Sequence, residues 1–181
     1  PTSVTAEVMA YDLTTSTALR VTNDTQFDRD MSVAPSGNVI AWAKCPTSTS
    51  PCDIWQAVKA DGVWTASQVT STADPETFPD TNGTLVVYGG VRAANATSSD
   101  IYWKPVAGGA ESQLARVGEQ RNPNISANVI AFEGRDLLDA SPNWDIYLYD
   151  LASPQLYRLT DTPALQETLN DISVVGTRVR V

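Results

Sequence analysis

Short apolar runs set off by polar turns fill the chain, and their pattern is that of strands. NVIAW, TLVVY and NVIAF are apolar almost throughout and end on Trp42, Tyr88 and Phe132. DIWQAV, DIYWKP and DIYLYDL also lack strict alternation, so that Ile146, Tyr147, Leu148 and Tyr149 place apolar groups on both sides of the pleat. A strand patterned that way has to be covered on both faces. Shorter strand signals flank these two types. One pairs a polar with an aliphatic residue (Arg20–Val21, Gln68–Val69, Gln113–Leu114, Arg158–Leu159), and another follows an acidic loop (MSVA, DTNG, NISA, DISVV). Pro35–Ser36–Gly37, Asp61–Gly62 and Gly108–Gly109 supply turns between them. No stretch keeps helical periodicity over three turns, so the fold class expected is all-β.

The strand signals recur as a unit. Glu7, Asp53, Asp100 and Asp145 each open the DIY-type strand, at separations of 46, 47 and 45 residues. Four short strands in a repeat of that length predict a β-propeller of four-stranded blades, each blade sheltered between two neighbours. A two-sheet sandwich ranks second because it calls for cleaner alternation. We therefore read residues 1–181 as one β-propeller domain with units starting near 7, 53, 100 and 145. The chain enters in the third strand of one unit and leaves in the second strand of another. Four blades closed by pairing of the N- and C-terminal strands is the expected arrangement, since closure removes exposed edges. A fragment of a propeller of five to seven blades is the alternative, because the last strand, RVRV, stops at Val181 before an aromatic.

Composition narrows the partners. Twenty-one acidic residues against twelve basic ones leave a net charge of −9, which repels phosphate backbones and anionic membranes and argues against nucleic acid. No apolar run has the length of a membrane span. The chain opens at Pro1 without a starting Met or a signal peptide, which reads as processing or excision. Cys45 and Cys52, the two cysteines, are too few for a zinc site in a chain without histidine. We expect a disulfide across CPTSTSPC, with free thiols as the alternative, and hence an oxidising compartment. N-x-S/T sequons at Asn23, Asn82, Asn95 and Asn124 carry little weight in a Ser/Thr-rich chain.

Chemistry is thinner than architecture. Without histidine, Ser-His-Asp and Cys-His arrangements are excluded, and no Gly-rich phosphate loop appears, so a non-enzyme is expected. The acids that open the DIY strands, like Asp12 and Asp150 in the YDL turns, are expected to bond backbone N–H groups of nearby turns. Aligning the units puts Asp30, Asp80, Asn124 and Asp171 together at the start of the innermost strands, which line a propeller's channel. These four are the candidate ligand-binding residues, and Asp30, Asp80 and Asp171 the candidate metal ligands. Hard oxygen donors suit Ca²⁺, or Na⁺ more weakly. Four solvated, turn-bonding residues are the plainer alternative. Asp24, Asp28, Asp74, Glu76, Glu119, Asp161 and Glu167 are expected to make the same mouth acidic and attractive to basic peptides. Trp42, Trp55 and Trp103 read as packing between blades, whereas Trp64 and Trp144 are candidates for exposure.

The last full unit reads NPNISANVIAFEG, WDIYLYDLASPQ, LYRLTDTP, and the first keeps YDL and RVT. In these motifs the chain resembles the TolB-like propellers, over nearly its whole length. The Trp-Ser-Pro-Asp-Gly turn of many members survives only as VAPSG, from Val33 to Gly37. The resemblance implies a secreted or periplasmic binding domain whose relatives form protein-docking platforms or stand beside hydrolase domains. The expected function is a non-catalytic scaffold that engages a protein or peptide at its channel mouth. An accessory propeller of a larger exported hydrolase and a carbohydrate-binding propeller are the alternatives.

Overall fold

The structure is a computed structural model that describes residues 5–92, 98–114, 116–136, 142–163 and 165–181. It is all-β. Strands β1 (Met9–Asp12) and β2 (Thr17–Arg20) form a two-stranded sheet. Blade I follows as β3 (Phe27–Val33), β4 (Val39–Cys45), β5 (Asp53–Ala60) and β6 (Val63–Gln68), paired antiparallel in chain order. Blade II is β7 (Glu76–Thr81), β8 (Leu85–Val91), β9 (Ser99–Pro105) and β10 (Ser112–Gln113). Blade III is β11 (Glu119–Ser126), β12 (Val129–Arg135), β13 (Asp145–Asp150) and β14 (Gln155–Arg158). The chain finishes in a second two-stranded sheet, β15 (Ser173–Val175) and β16 (Arg178–Arg180). Among the described residues, no helix is long and apolar enough to cross a membrane.

Apolar second strands are covered as their pattern demands. Every residue of β4 is buried, as are the central five of β8 and of β12. Each seam between sheets closes with its own cluster. Ala41, Ala43 and Ile54 of blade I meet Val86, Tyr88 and Tyr102 of blade II. Val87, Ile101 and Leu114 meet Ile130, Phe132 and Tyr147. Trp42 is fully buried where blade I meets the N-terminal pair of strands, against Val8. Cys45 and Cys52 form the expected disulfide across the β4–β5 hairpin.

The acids of the DIY strands are structural, and their main partners are side chains. Glu7 pairs with Arg20 at 2.8 Å, Asp53 with Gln68 at 3.0 Å, Asp100 with Gln113 at 3.0 Å and Asp145 with Arg158 at 2.5 Å. The polar residue ahead of each fourth-strand aliphatic thus holds the acid that opens the third strand. Turn N–H groups add to this as expected, from Asp24 to Glu7 and from Thr72 to Asp53. Asp12 and Asp150 cap their own turns by accepting from Thr14 and Thr15 and from Ala152 and Ser153.

Pairing of the chain's ends is the expectation that fails. Among the described residues, β1–β2 and β15–β16 remain separate sheets. Each is held by its neighbouring blade instead. Val8 sits under Trp42, while Leu169 and Ile172 pack on Ala131 and Leu148, and the Val174 N–H donates to Ser126 Oγ at 3.1 Å. The short β16 is exposed along its whole length and carries an arginine at each end.

Candidate functional site

The first strand of each four-stranded sheet breaks its ladder at the same place. Pairing slips between Arg29 and Ser32 in β3, between Thr77 and Asp80 in β7, and between Arg121 and Asn124 in β11. Such a bulge adds one residue, bends the strand and re-aims its side chains. The first residue of every bulge has left-handed backbone: Asp30 at φ 52°, Phe78 at φ 50° and Asn122 at φ 52°. Asn and Asp tolerate that region because their short side chains bond locally, whereas for phenylalanine it is strained. Phe78 is nonetheless half exposed, at 48%.

These bulges face one cavity of about 320 Å³, whose lining includes Asp30, Ser32, Phe78, Asp80, Asn122, Asn124 and Asp171. All four residues singled out in the sequence therefore line the same space. Their register needs correction at one place. Asp28, Glu76 and Glu167 each donate a backbone N–H to the residue just before a DIY-type strand, namely Ala6, Cys52 and Trp144. Counting four residues on from these gives Ser32, Asp80 and Asp171, with Asn124 standing four after Gln120 in the same frame. Asp30 belongs two residues earlier, with Phe78, Asn122 and Leu169. Ser32 concealed this by departing from the Asp/Asn pattern, although the spacing of 50 residues between Asp30 and Asp80, against 48 between Ser32 and Asp80, carried the signal.

The metal collar is likewise not formed. No group of three Asp, Glu or Cys residues close enough to hold a metal ion occurs among the described residues. Asp80 has other commitments: the Ser32 hydroxyl donates to one of its oxygens and the Ile125 N–H to the other at 2.6 Å, bracing three first strands together. Asp30 lies against Arg29 at 3.6 Å, and Asp171 Oδ1 accepts from the Ile172 N–H at 2.7 Å. Asn124 donates to the Asn122 carbonyl at 3.2 Å. Asp30 and Asp171 are exposed, which leaves them as the charged groups most open to a visitor.

Sequence reasoning also placed acids at the mouth that belong to the seams. Asp28 and Glu76 are buried inside β3 and β7. The Val8 N–H donates to Thr22 Oγ1 at 2.9 Å, and Thr22 Oγ1 donates to Asp28 at 2.6 Å. One blade on, the Ile54 N–H donates to Thr70 at 2.8 Å and Thr70 to Glu76 at 2.8 Å. Trp42 Nε1 completes Asp28 at 2.9 Å, while Thr72 and Arg92 complete Glu76 at 2.7 and 2.6 Å. Removal from water pushes both carboxyls above the ordinary carboxylate range despite these donors. Glu119, in β11, pairs with Arg135. The Thr of RVT and QVT was visible in the sequence, but nothing local announced its bond into the next blade.

Neither tryptophan expected to be exposed stands clear of the fold, and both are partly buried. Trp144 is flanked by the guanidinium groups of Arg121 at 3.9 Å and Arg135 at 5.0 Å. Trp64 packs against the cluster around Trp42. Of the sequons, Asn82 and Asn124 use their side chains within the fold, and Asn95 lies outside the described residues.

No protein-family model and no curated protein matches the sequence. Solved structures do. TolB from Acinetobacter baumannii superposes with a TM-score of 0.59 at 18% identity, over 86% of this chain and 38% of that one. A TolB candidate from Agrobacterium tumefaciens gives 0.56 at 15% identity, over 79% and 52%. The β-propeller domain of the Trilobed protease from Pyrococcus furiosus, described as having an open velcro topology, gives 0.55 at 10% identity, over 84% and 48%. The fold is that of a β-propeller, and the chain spans between about two fifths and half the length of these proteins.

Proposed function

We propose that the chain is a non-catalytic propeller domain that binds a protein or peptide at the channel cavity, by a basic or amide-bearing segment. One observation carries the reading. The bulges of three separate sheets are held in costly left-handed backbone so that Asp30, Phe78 and Asn122 border a single cavity. Strain kept at a concave polar site is the usual mark of a binding surface. Exposed Asp30 and Asp171 supply negative charge there, and Phe78 supplies an apolar face for the aliphatic part of a lysine or arginine. The disulfide and the likeness to TolB propellers support a secreted or periplasmic setting. The propeller domain of a protease among the solved neighbours favours a second reading, an accessory propeller beside a hydrolase, and the same cavity would then screen peptides.

Titration calorimetry with a lysine-rich and a glutamate-rich peptide of equal length tests the proposal. The basic peptide is expected to bind more tightly and to weaken with added salt, and Asp30→Asn and Asp171→Asn each to cost about threefold, as befits a rim charge. Equal binding of the two peptides, or affinity untouched by both substitutions, would sink it.

A further inference from the structure

We infer, resting on the binding just proposed, that Arg29 sets the cavity's preference between a cationic and an amide-bearing ligand. It does so as a built-in counter-charge to Asp30. Three acids line the cavity: Asp30, Asp80 and Asp171. Among the described residues, only Asp30 has a basic side chain within ion-pairing range, with Arg29 Nε 3.6 Å from its Oδ2. The equivalent position is filled differently in the other two blades. Arg29 lies opposite Ala43, Thr77 opposite Gly89 and Arg121 opposite Glu133. Thr77 carries no charge. Arg121 is engaged by Glu133 at 2.6 Å and by the face of Trp144 at 3.9 Å. Blade I alone sets a guanidinium against the residue at its bulge.

That guanidinium is held close to Asp30 without bonding to it. Its Nη2 donates to Cys52 Sγ at 3.3 Å, which ties the side chain to the disulfide of the β4–β5 hairpin. Its Nε is buried without a hydrogen-bond acceptor among the described residues. At 3.6 Å the Asp30 carboxylate lies beyond hydrogen-bond reach of Nε, yet well within Coulombic range. Arg29 thus lowers the negative potential at Asp30 while leaving its oxygens to accept from a visitor. A ligand that brings mainly charge meets a rim already partly neutralised. A ligand that brings an amide N–H loses little, because its bond is made to the oxygen itself. Arg29 therefore narrows the advantage of a lysine over a glutamine at this position.

Titration calorimetry on the intact chain, with lysine-rich and glutamine-rich peptides of equal length, tests this. The variants are Arg29→Met, Arg29→Lys, Asp30→Asn and the double substitution Arg29→Met with Asp30→Asn. Methionine keeps the aliphatic stem of a partly exposed side chain, so circular dichroism should report native sheet. Arg29→Met is expected to tighten the lysine peptide about threefold, the scale of one exposed ion pair, with a steeper salt dependence. The glutamine peptide should be nearly unaffected. Arg29→Lys, which restores the charge, should return the native preference. On the Asp30→Asn background Arg29→Met should add nothing, since the two side chains act as a coupled pair. Lysine-peptide affinity that fails to rise in Arg29→Met overturns the inference. So does a gain shared equally by the glutamine peptide, or one that survives Asp30→Asn. Native binding indifferent to peptide charge would remove the binding reading and this inference with it. Charge-selective native binding with no response at Arg29 would remove this inference alone.

Discussion

The seams between sheets and the rim of the channel are cut from the same three first strands, yet they use polar residues in opposite ways. At the seams, Asp28 and Glu76 are buried and saturated by hydroxyl, indole and guanidinium donors. Two residues on, Asp30 and Phe78 stand exposed on left-handed backbone. The seam position stays buried and polar from blade to blade, as Asp28, Glu76 and then Gln120, although Gln120 donates to the Arg116 and Gly118 carbonyls where the two acids accept. The rim position keeps its backbone and changes its chemistry, as Asp30, Phe78 and Asn122. In a repeat protein, what recurs serves packing of one unit on the next. What varies on a constant backbone is free to serve recognition.

The largest test of this contrast is Glu76→Ala. It removes the acceptor of Thr70, Thr72 and Arg92 and strands a largely buried guanidinium whose remaining acid is Glu111. Breaking a buried pair from one side costs about 3–5 kcal/mol. Urea unfolding should show a loss of unfolding free energy of that size, with Asp30→Asn, two residues along the equivalent strand and still tolerant of left-handed backbone, changing almost nothing. Comparable losses at the two positions would erase the distinction.

How much of this was legible beforehand divides along the same line. Strand order within each sheet follows from local patterns that recur along the chain, the turn-capping role of Asp12 and Asp150 from the YDL motif, and the disulfide from two cysteines facing each other across one hairpin. The site was half legible. The four residues chosen do line one cavity, but Asp30 was set in register with Asp80 because both are aspartates, whereas the true counterpart, Ser32, breaks the Asp/Asn pattern. Phe78 was missed altogether, since nothing in TFPD signals a positive φ at a bulky side chain. Asp28 and Glu76 looked like mouth acids because burial is a tertiary property: their donors come from Thr22 and Thr70, on the sheet before. End pairing, too, depends on blade-to-blade geometry that strand spacing does not encode.

Phe78→Gly probes the rim from the stabilising side. Left-handed backbone costs a side-chain-bearing residue about 1–2 kcal/mol, and glycine returns part of that as unfolded-chain entropy. The net gain should be about 1 kcal/mol, a rise in Tm of about 2–4 °C, while affinity for the basic peptide falls as the apolar face is lost. Asn122→Gly, at the same φ with a residue that tolerates it, should gain less. Destabilisation by Phe78→Gly in a scanning calorimeter would mean that the ring packs more than it strains.

The smallest effect is a pH dependence at the seam. Asp28 is desolvated, and only Lys44, 4.0 Å away and shared with Asp24, opposes that with charge. Its carboxyl is raised above the ordinary aspartate value of 3.8, so the folded state holds the proton more tightly than the unfolded chain does. The stability this confers is complete below pH 3.8 and is lost as pH climbs through the folded pKa. Asp28→Asn cannot titrate, and its amide still offers one acceptor to Thr22 or Trp42. The stability gap between the native chain and this variant should therefore be widest near pH 4 and narrow steadily toward pH 7. Parallel Tm profiles across that range would show that the Thr22 and Trp42 donors outweigh burial and hold Asp28 ionised throughout.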